Sequence, residues 1–357
     1  MKNARNSKKV KIGNITIGGG EKIAVQSMLN VDTHDFAAVF ARTRALEQAG
    51  CDIIRLAVPD RDAVKTIFKL KEAGITAPLV ADIHFDYKIA VDAAYAGIDK
   101  IRINPGNIGA DENVKAVVTA CREKNVPIRI GVNSGSLEKS ILAKYGAPTA
   151  EALAESALYH ATLLEKFDFT NTVISVKSSD VMTMIEANRI LAEKCDYPLH
   201  LGVTEAGTLA DGTVKSAIGI GTLLCEGIGD TIRVSLTDKP EKEVFAANDI
   251  LRSIGLYEKG YYNVISCPTC GRTKINLIQI ANEVKARLDE FSAPTRKINV
   301  AVMGCVVNGP GEAAEADIGI AGGIHETVVF EKGKIIKKIP ESETVDTLIS
   351  IIKEKYR

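Results

Sequence analysis

The sequence predicts an α/β protein: a TIM (β/α)8 barrel over residues 1–257, followed by a small α+β domain over residues 258–357. Three observations carry this. From residue 22 to about 255, short apolar β-prone runs alternate with longer helix-periodic segments rich in Ala, Glu, Lys and Leu. The β-prone runs number eight, which is the length and rhythm of a TIM barrel. After "RSIGLYEKGYYN" that rhythm stops, and the remaining segment has a different order of elements.

The predicted barrel strands are "KIAVQSM" (22–28), "CDIIRLAV" (51–58), "PLVADIHF" (78–85), "KIRINPG" (100–106), "PIRIGVN" (127–133), "TVISVKSS" (172–179), "PLHLGVTEAG" (198–207) and "DTIRVSLT" (230–237). Between them lie helix candidates such as "DFAAVFARTRALEQAG" and "EALAESALYHATLLEKF", several ending in Gly or Asn as helix C-termini often do. A doubly wound open sheet is the alternative. It is weakened because neither GxGxxG nor GxxxxGK[ST] stands at a strand end. The last hundred residues read as a strand into "CPTC", a helix near 273–291, the strand "INVAVMG", a Gly-rich loop, short strands near 316–338 and a closing helix near 341–356.

Composition excludes several classes of function. Lys+Arg and Asp+Glu both number 45, so no bulk field draws the chain to nucleic acid or to a membrane surface, and any cationic site must be local. No stretch approaches the ~20 apolar residues of a membrane span, and no apolar run follows the basic start "MKNARNSKKVKIGN". The expectation is a cytoplasmic protein. Seven cysteines, an odd number, point away from a disulfide framework and toward metal or redox chemistry.

In a TIM barrel, chemistry sits at the C-terminal ends of the strands. Here those ends carry Arg55; Asp82 and His84; Arg102 and Asn104; Arg129 and Asn133; Lys177; Thr204 and Glu205; Arg233 and Ser235. Most pairs have even spacing, which turns both members to one side of the strand. One strand arginine alone is more often a salt-bridge partner than a ligand contact. Five cations on successive strands are costly to bury unpaired and imply an anion, and Arg forks with a Lys suit a phosphate or diphosphate. His84 alone reads as a hydrogen-bonded structural histidine, and Asp82 as a partner for one of the arginines. Glu205 in "VTEAG" could act as a proton donor or orient a substrate hydroxyl, or it could balance Arg233. Cys51, Cys121, Cys195 and Cys225 have no metal-ligand spacing and read as ordinary small buried residues.

The second domain holds Cys267 and Cys270 in "SCPTCGR" and Cys305 in "MGCVVNGPGEA". Three thiolates stand where four ligands are wanted, and Glu312, past the turn "NGPG", is the natural fourth candidate. A carboxylate is a weaker, more exchangeable ligand than sulfur, so the iron it holds could accept a substrate oxygen. A structural zinc site and a thioredoxin-like dithiol remain open alternatives; the dithiol leaves Cys305 unexplained.

Through "VQSMLNVDT", "ADIHF", "KIRINPGNIG", "RIGVNSGSLE", "SVKSSD", "LGVTEAG", "DTIRVSLT", "SCPTCGRT" and "MGCVVNGPGEA" the chain resembles the bacterial 4-hydroxy-3-methylbut-2-en-1-yl diphosphate synthases of the non-mevalonate isoprenoid pathway, nearly end to end. It resembles their two-domain form, since Lys177 to Thr204 spans only 27 residues. The resemblance implies a 4Fe-4S cluster held by Cys267, Cys270, Cys305 and Glu312. It implies that Arg55, Arg102, Arg129, Lys177 and Arg233, with His84, Asn104, Asn133, Thr204 and Ser235, bind 2-C-methyl-D-erythritol 2,4-cyclodiphosphate. Asp82 and Glu205 would be acidic pocket residues, and Glu205 and Glu312 the candidate catalytic groups. It further implies two-electron reductive ring opening and dehydroxylation, flavodoxin or ferredoxin as electron donor, and a head-to-tail homodimer in which one subunit's cluster domain covers the other's barrel. Competing classes are a zinc-stabilised barrel enzyme acting on a phosphorylated metabolite, and a non-catalytic iron-sulfur carrier or iron sensor, for which a cationic barrel mouth has no purpose.

Overall fold

The computed structural model describes residues 3–305, 313–324 and 326–356. It divides into two compact units, Met1–Tyr257 and Glu258–Arg357.

The first unit opens with a hairpin, β1 (Val10–Ile12) and β2 (Ile15–Ile17), that the sequence reading did not anticipate. Eight parallel strands follow: β3 (Ala24–Met28), β4 (Ile53–Ala57), β5 (Leu79–Asp82), β6 (Lys100–Ile103), β7 (Ile128–Asn133), β8 (Thr172–Lys177), β9 (His200–Leu201) and β10 (Thr231–Ile232). Neighbours run β8-β7-β6-β5-β4-β3-β10-β9, and the parallel bridge Ile174 to Leu199 joins the two ends of that series into a barrel. β9 and β10 keep only two ladder residues each, far fewer than their apolar runs predict.

Each strand feeds a helix that packs back on the barrel: α1 (Phe36–Gln48), α2 (Arg61–Glu72), α3 (Tyr87–Tyr95), α4 (Asp111–Glu123), α5 (Lys139–Tyr145), α6 (Ala150–Glu165), α7 (Val181–Lys194), α8 (Leu209–Cys225) and α9 (Pro240–Ser253). The loop chemistry is local. Asp35, Asp60, Asp86, Thr149 and Asp180 stand just before α1, α2, α3, α6 and α7, and each side chain accepts a backbone N–H of the first turn. The core lies between strands and helices, with Ile54, Leu56, Leu79, Ile101, Ile130 and Val176 facing Leu46, Ile67, Val117 and Leu191. At the other end of the strands, Val10, Ile12 and Ile17 of the hairpin pack on Ala24, Ile53, Val80 and Val173, closing the barrel floor with apolar contacts.

The second unit is a five-stranded sheet, β11 (Tyr261–Ser266), β12 (Lys297–Met303), β13 (Ile318–Gly322), β14 (Glu326–Glu331) and β15 (Lys334–Pro340), in that spatial order. β11, β12 and β13 are parallel, and β14 and β15 are antiparallel additions. Strand alternation gives it two faces. Val300, Val302, Ile318 and Ile320 pack against α10 (Leu277–Asp289) and α11 (Thr344–Lys355), while Ala301, Met303, Ala321 and Phe330 form a smaller cluster on the other side.

Ile12 is fully buried in the barrel floor. Ile12→Ala is expected to lower barrel stability by about 3 kcal/mol in urea unfolding. A loss below about 0.5 kcal/mol, the range of substitutions that touch no core, would show that the hairpin is not part of that core.

Candidate active site

Strand parity, carried around the barrel by its register, decides what enters the lumen. Asp82 lies opposite Arg102, Arg102 opposite Arg129, Gly131 opposite Ser175, and Asn133 opposite Lys177. These side chains therefore share one surface. At the C-terminal strand ends they surround a cleft of about 140 Å3, lined by Arg55, Arg102, Arg129, Gly131, Asn133, Ser175, Lys177, Thr204, Arg233 and Ser235. All five predicted cations are present. His84, Asn104, Asp82 and Glu205 do not line the cleft.

Two carboxylates hold three of the cations. Asp82, only 3% exposed, accepts from Arg55 Nη2 at 2.6 Å and from Arg102 Nη1 at 3.1 Å. The half-exposed His84 ring reaches the same carboxylate through Nε2 at 3.2 Å. Burial disfavours a charged Asp82, but Arg55, His84 and Arg102 outweigh it and hold the carboxyl well below 3.8. Glu243, on α9, is the second. Its oxygens accept from Arg233 Nε at 3.2 Å and Nη2 at 3.1 Å, from Ser27 Oγ at 2.7 Å and from the Leu236 N–H at 3.1 Å. The sequence reading missed Glu243 and offered Glu205 as the balance for Arg233. Glu205 is instead exposed, at φ +50°, a left-handed conformation that costs a non-glycine residue about 1 kcal/mol or more. That backbone shapes the turn after β9, and Arg233 is paired with Glu243 instead.

Among the described residues, Arg129 and Lys177 have no ion pair at all. Burial, followed by neighbouring cations, pushes Arg129 and Lys177 well below their ordinary values. A guanidinium stays charged even so, because its ordinary value is so high. Glycines make room for these long side chains. A Cβ on Gly131 would meet the Arg102 guanidinium, with Nη2 at 2.8 Å, and one on Gly202 would lie 2.7 Å from Lys177 Nζ. Asn104, nearly buried, spends its Oδ1 on the Gly106 N–H at 3.1 Å, shaping the loop after β6.

A larger cavity of about 750 Å3 lies among α5, α6 and α7, lined by groups such as Glu138, Tyr145, Glu155, Tyr159 and Lys194. Its charged lining is mostly acidic, Glu138, Glu151, Glu155 and Glu193 with the single lysine Lys194, and no cations converge there. The smaller cleft is the chemically organised one.

In the second unit, β11 and β12 run parallel with Ser266 opposite Val302, so Cys267 and Cys305 follow the ends of neighbouring strands. Cys267 Sγ accepts the Gly304 N–H at 3.2 Å. The Arg272 N–H, and then the Thr273 side chain, draw the Cys270 thiol below its ordinary value. Such N–H to sulfur contacts favour thiolates, so the donor chemistry fits an iron-sulfur cluster. No three His, Cys, Asp or Glu side chains form a closed metal site among the described residues, and Glu312 lies outside them. Cys51 and Cys121 are buried, and burial pushes both thiols up to about 12, as inert core cysteines require. Cys195 is half-buried, but Cys225 is exposed near the end of α8, contrary to its reading as a buried residue.

The arrangement defines an anion-binding (β/α)8 barrel joined to a cysteine-bearing α+β unit. Residues 7–248 match the GcpE TIM-barrel domain, and residues 263–354 match the GcpE protein C-terminal domain. The chain belongs to the GcpE family. It is 59% identical, over 98% of its length and 99% of the relative's, to 4-hydroxy-3-methylbut-2-en-1-yl diphosphate synthase (flavodoxin) of Clostridium perfringens. It is 56% identical to the protein of the same name from Caldanaerobacter subterraneus subsp. tengcongensis, over 100% of this chain and 99% of that one. Among solved structures, type I 3-dehydroquinate dehydratase of Clostridium difficile aligns with a TM-score of 0.52 at 16% identity, over 70% of this chain and 98% of that one. That likeness shows the barrel fold alone. Among the described residues, no helix is long and apolar enough to cross a membrane.

Gly131→Ala is expected to displace Arg102 and weaken the binding of inorganic pyrophosphate about tenfold in calorimetric titration, the worth of roughly one charge-assisted hydrogen bond, with the circular dichroism spectrum unchanged. Unaltered pyrophosphate affinity would show that the close approach of Arg102 to this strand is not used in holding the anion.

Proposed function

We infer that the chain catalyses the reductive ring opening and dehydroxylation of 2-C-methyl-D-erythritol 2,4-cyclodiphosphate to 4-hydroxy-3-methylbut-2-enyl diphosphate, an oxidoreductase step of non-mevalonate isoprenoid biosynthesis with flavodoxin as electron donor. The observation that carries the reading is the cleft that gathers four arginines and a lysine around only two carboxylates, in a chain that matches synthases of that name from end to end. One ring carbon–oxygen bond breaks, one hydroxyl departs as water, and two electrons with their protons are taken up.

The roles of the residues follow from the cleft. Arg55 and Arg102 are pre-aimed by Asp82, and Arg233 by Glu243, so these guanidiniums need little reordering when the diphosphate arrives. Arg129 and Lys177, without ion pairs, have the most to gain from it. Asn133, Thr204, Ser175 and Ser235 supply neutral polar contacts along the lining. His84 and Asn104 act from beside the cleft, His84 on Asp82 and Asn104 on the loop after β6. Glu205, exposed on the turn after β9, is the acid we assign to give a proton to the departing hydroxyl. Cys267, Cys270, Cys305 and Glu312 would hold a 4Fe-4S cluster, which when bound supplies electrons one at a time. The working form is a cytoplasmic homodimer.

Anaerobic purification is expected to yield iron and acid-labile sulfide in equal amounts; zinc without sulfide would overturn the reading in favour of a zinc-stabilised barrel enzyme. Arg102→Ala or Arg129→Ala is expected to raise the Kd for the cyclic diphosphate by roughly tenfold or more, since each removes a charge-assisted contact, while the visible absorption of the cluster stays unchanged. Loss of that absorption would make the arginines structural. Glu312→Ala is expected to give a labile cluster and little turnover, and full activity in that variant would remove Glu312 from the site.

A further inference from the structure

Beneath the cationic cleft lies a second tier of polar groups that the reaction described above does not employ. Lys100 is two residues before Arg102 on β6 and lies opposite Val80 of β5, so its side chain enters the lumen one layer below Arg102. It is wholly buried, and among the described residues its Nζ has no hydrogen-bond partner. The same is true of Gln26 Nε2 and His200 Nε2, on lumen positions of β3 and β9, and above them Nε and Nη2 of Arg129 in the cleft are also without a partner among the described residues. The apolar floor of Ile12, Ile17, Ile53, Val80 and Val173 seals this tier from below. An unpartnered ammonium so placed is costly to keep charged.

The charges that act on Lys100 are all of its own sign. They are Arg129 from β7 and Arg55 from β4, and His200 of β9 belongs to the same field. Asp82 of β5 is occupied by Arg55 and Arg102, and Glu243 of α9 by Arg233. Among the described residues no carboxylate pairs with Lys100. An anion in the cleft above would bring negative charge to Lys100, on which Arg129 and Arg55 act.

We propose that Lys100 is a proton-coupled positioning residue: it is neutral while the cleft is empty and takes up a proton when the diphosphate enters, adding a buried charge beneath Arg129. Its ordinary value is pulled far down, first by burial and then by Arg129 and Arg55. The linkage then has a definite sign. Anion binding raises the proton affinity of Lys100, so protons are taken up in the interval between its lowered free value and its raised bound value. Affinity for the anion falls as pH rises through that interval. The cyclic substrate carries one strongly acidic group on each phosphorus and does not titrate near neutrality, which leaves the protein as the source of the effect.

This inference rests on the diphosphate reading, and calorimetry separates the two. The oxidised holoenzyme, which cannot turn over without reductant, is titrated with the cyclic diphosphate at mildly alkaline pH in buffers of different ionisation heat. Wild type is expected to take up about one proton per substrate bound, with log Kd rising about one unit per pH unit over the same interval. Lys100→Met is expected to bind about tenfold more weakly with no uptake. Lys100→Arg, permanently charged, is expected to bind without uptake and without that loss of affinity. The Arg variant keeps the test open should the Met variant fail to fold. Wild-type binding without uptake, or uptake that persists in either variant, overturns the role of Lys100 and leaves the diphosphate reading standing. No binding of the cyclic diphosphate by wild type overturns both.

Discussion

The barrel mouth depends on one shared carboxylate. Asp82 touches Arg55 at 2.6 Å and Arg102 at 3.1 Å, and through these it sets the spacing of two guanidiniums, on the strands either side of its own, that would otherwise repel each other. Because both pairs are almost wholly buried, their geometry matters more than their net energy. A buried pair returns little stability over an apolar substitute, but removing one partner leaves an uncompensated charge that costs several kcal/mol. Asp82 is thus the element that makes a cationic mouth compatible with a folded barrel, and Glu243 repeats the device at Arg233 from a helix outside the strands.

Much of this was legible because strands have a period of two. Once the β-prone runs were placed, the parity of Arg102 with Asn104 and of Arg129 with Asn133 fixed which side chains shared a surface. The fold brings all five predicted cations into one cleft for that reason. The parts that were not legible involve contacts with no sequence period. Glu243 sits ten residues beyond Arg233 on a helix whose pattern reads as an ordinary solvated face, so nothing in the chain announced it as a counter-ion. Lys100 has the parity of Arg102 but stands at the start of its run, where a lysine usually marks the exposed beginning of a strand. Gly131 and Gly202 matter for what an added methyl would displace, and the space around a glycine is a property of the folded barrel.

The remaining differences have the same origin. The hairpin Val10–Ile17 lies in a segment whose basic residues masked its alternation, although Ile12 and Ile17 are fully buried against the strand starts. β9 and β10 keep only two ladder residues each, with Gly202 and then the left-handed Glu205 following β9. Thr204 and Arg233, just past those ladders, line the cleft. In the second unit, the parallel register of β11 and β12 explains why two cysteines 38 residues apart in sequence follow adjacent strand ends. Parallel pairing converts a long sequence separation into a short distance, and a motif search confined to local spacing sees only half of the set.

The chain's equal totals of 45 basic and 45 acidic residues conceal a local surplus that the fold has to tolerate. Five cations, with the basic Lys100 beneath them, meet two carboxylates, and burial works against the charge on several of these groups. Sites that break the ordinary rules of burial are expected where function requires it, and the cost is met elsewhere, here by the apolar floor and the continuous core between strands and helices. The ligand-free barrel is therefore less stable than its core alone would make it. A diphosphate removes the source of that strain, so the anion binds the folded state and stabilises it by mass action. Recognition and stability are linked through the same surplus: substitutions that relieve it would make the empty barrel sturdier while weakening its hold on the substrate.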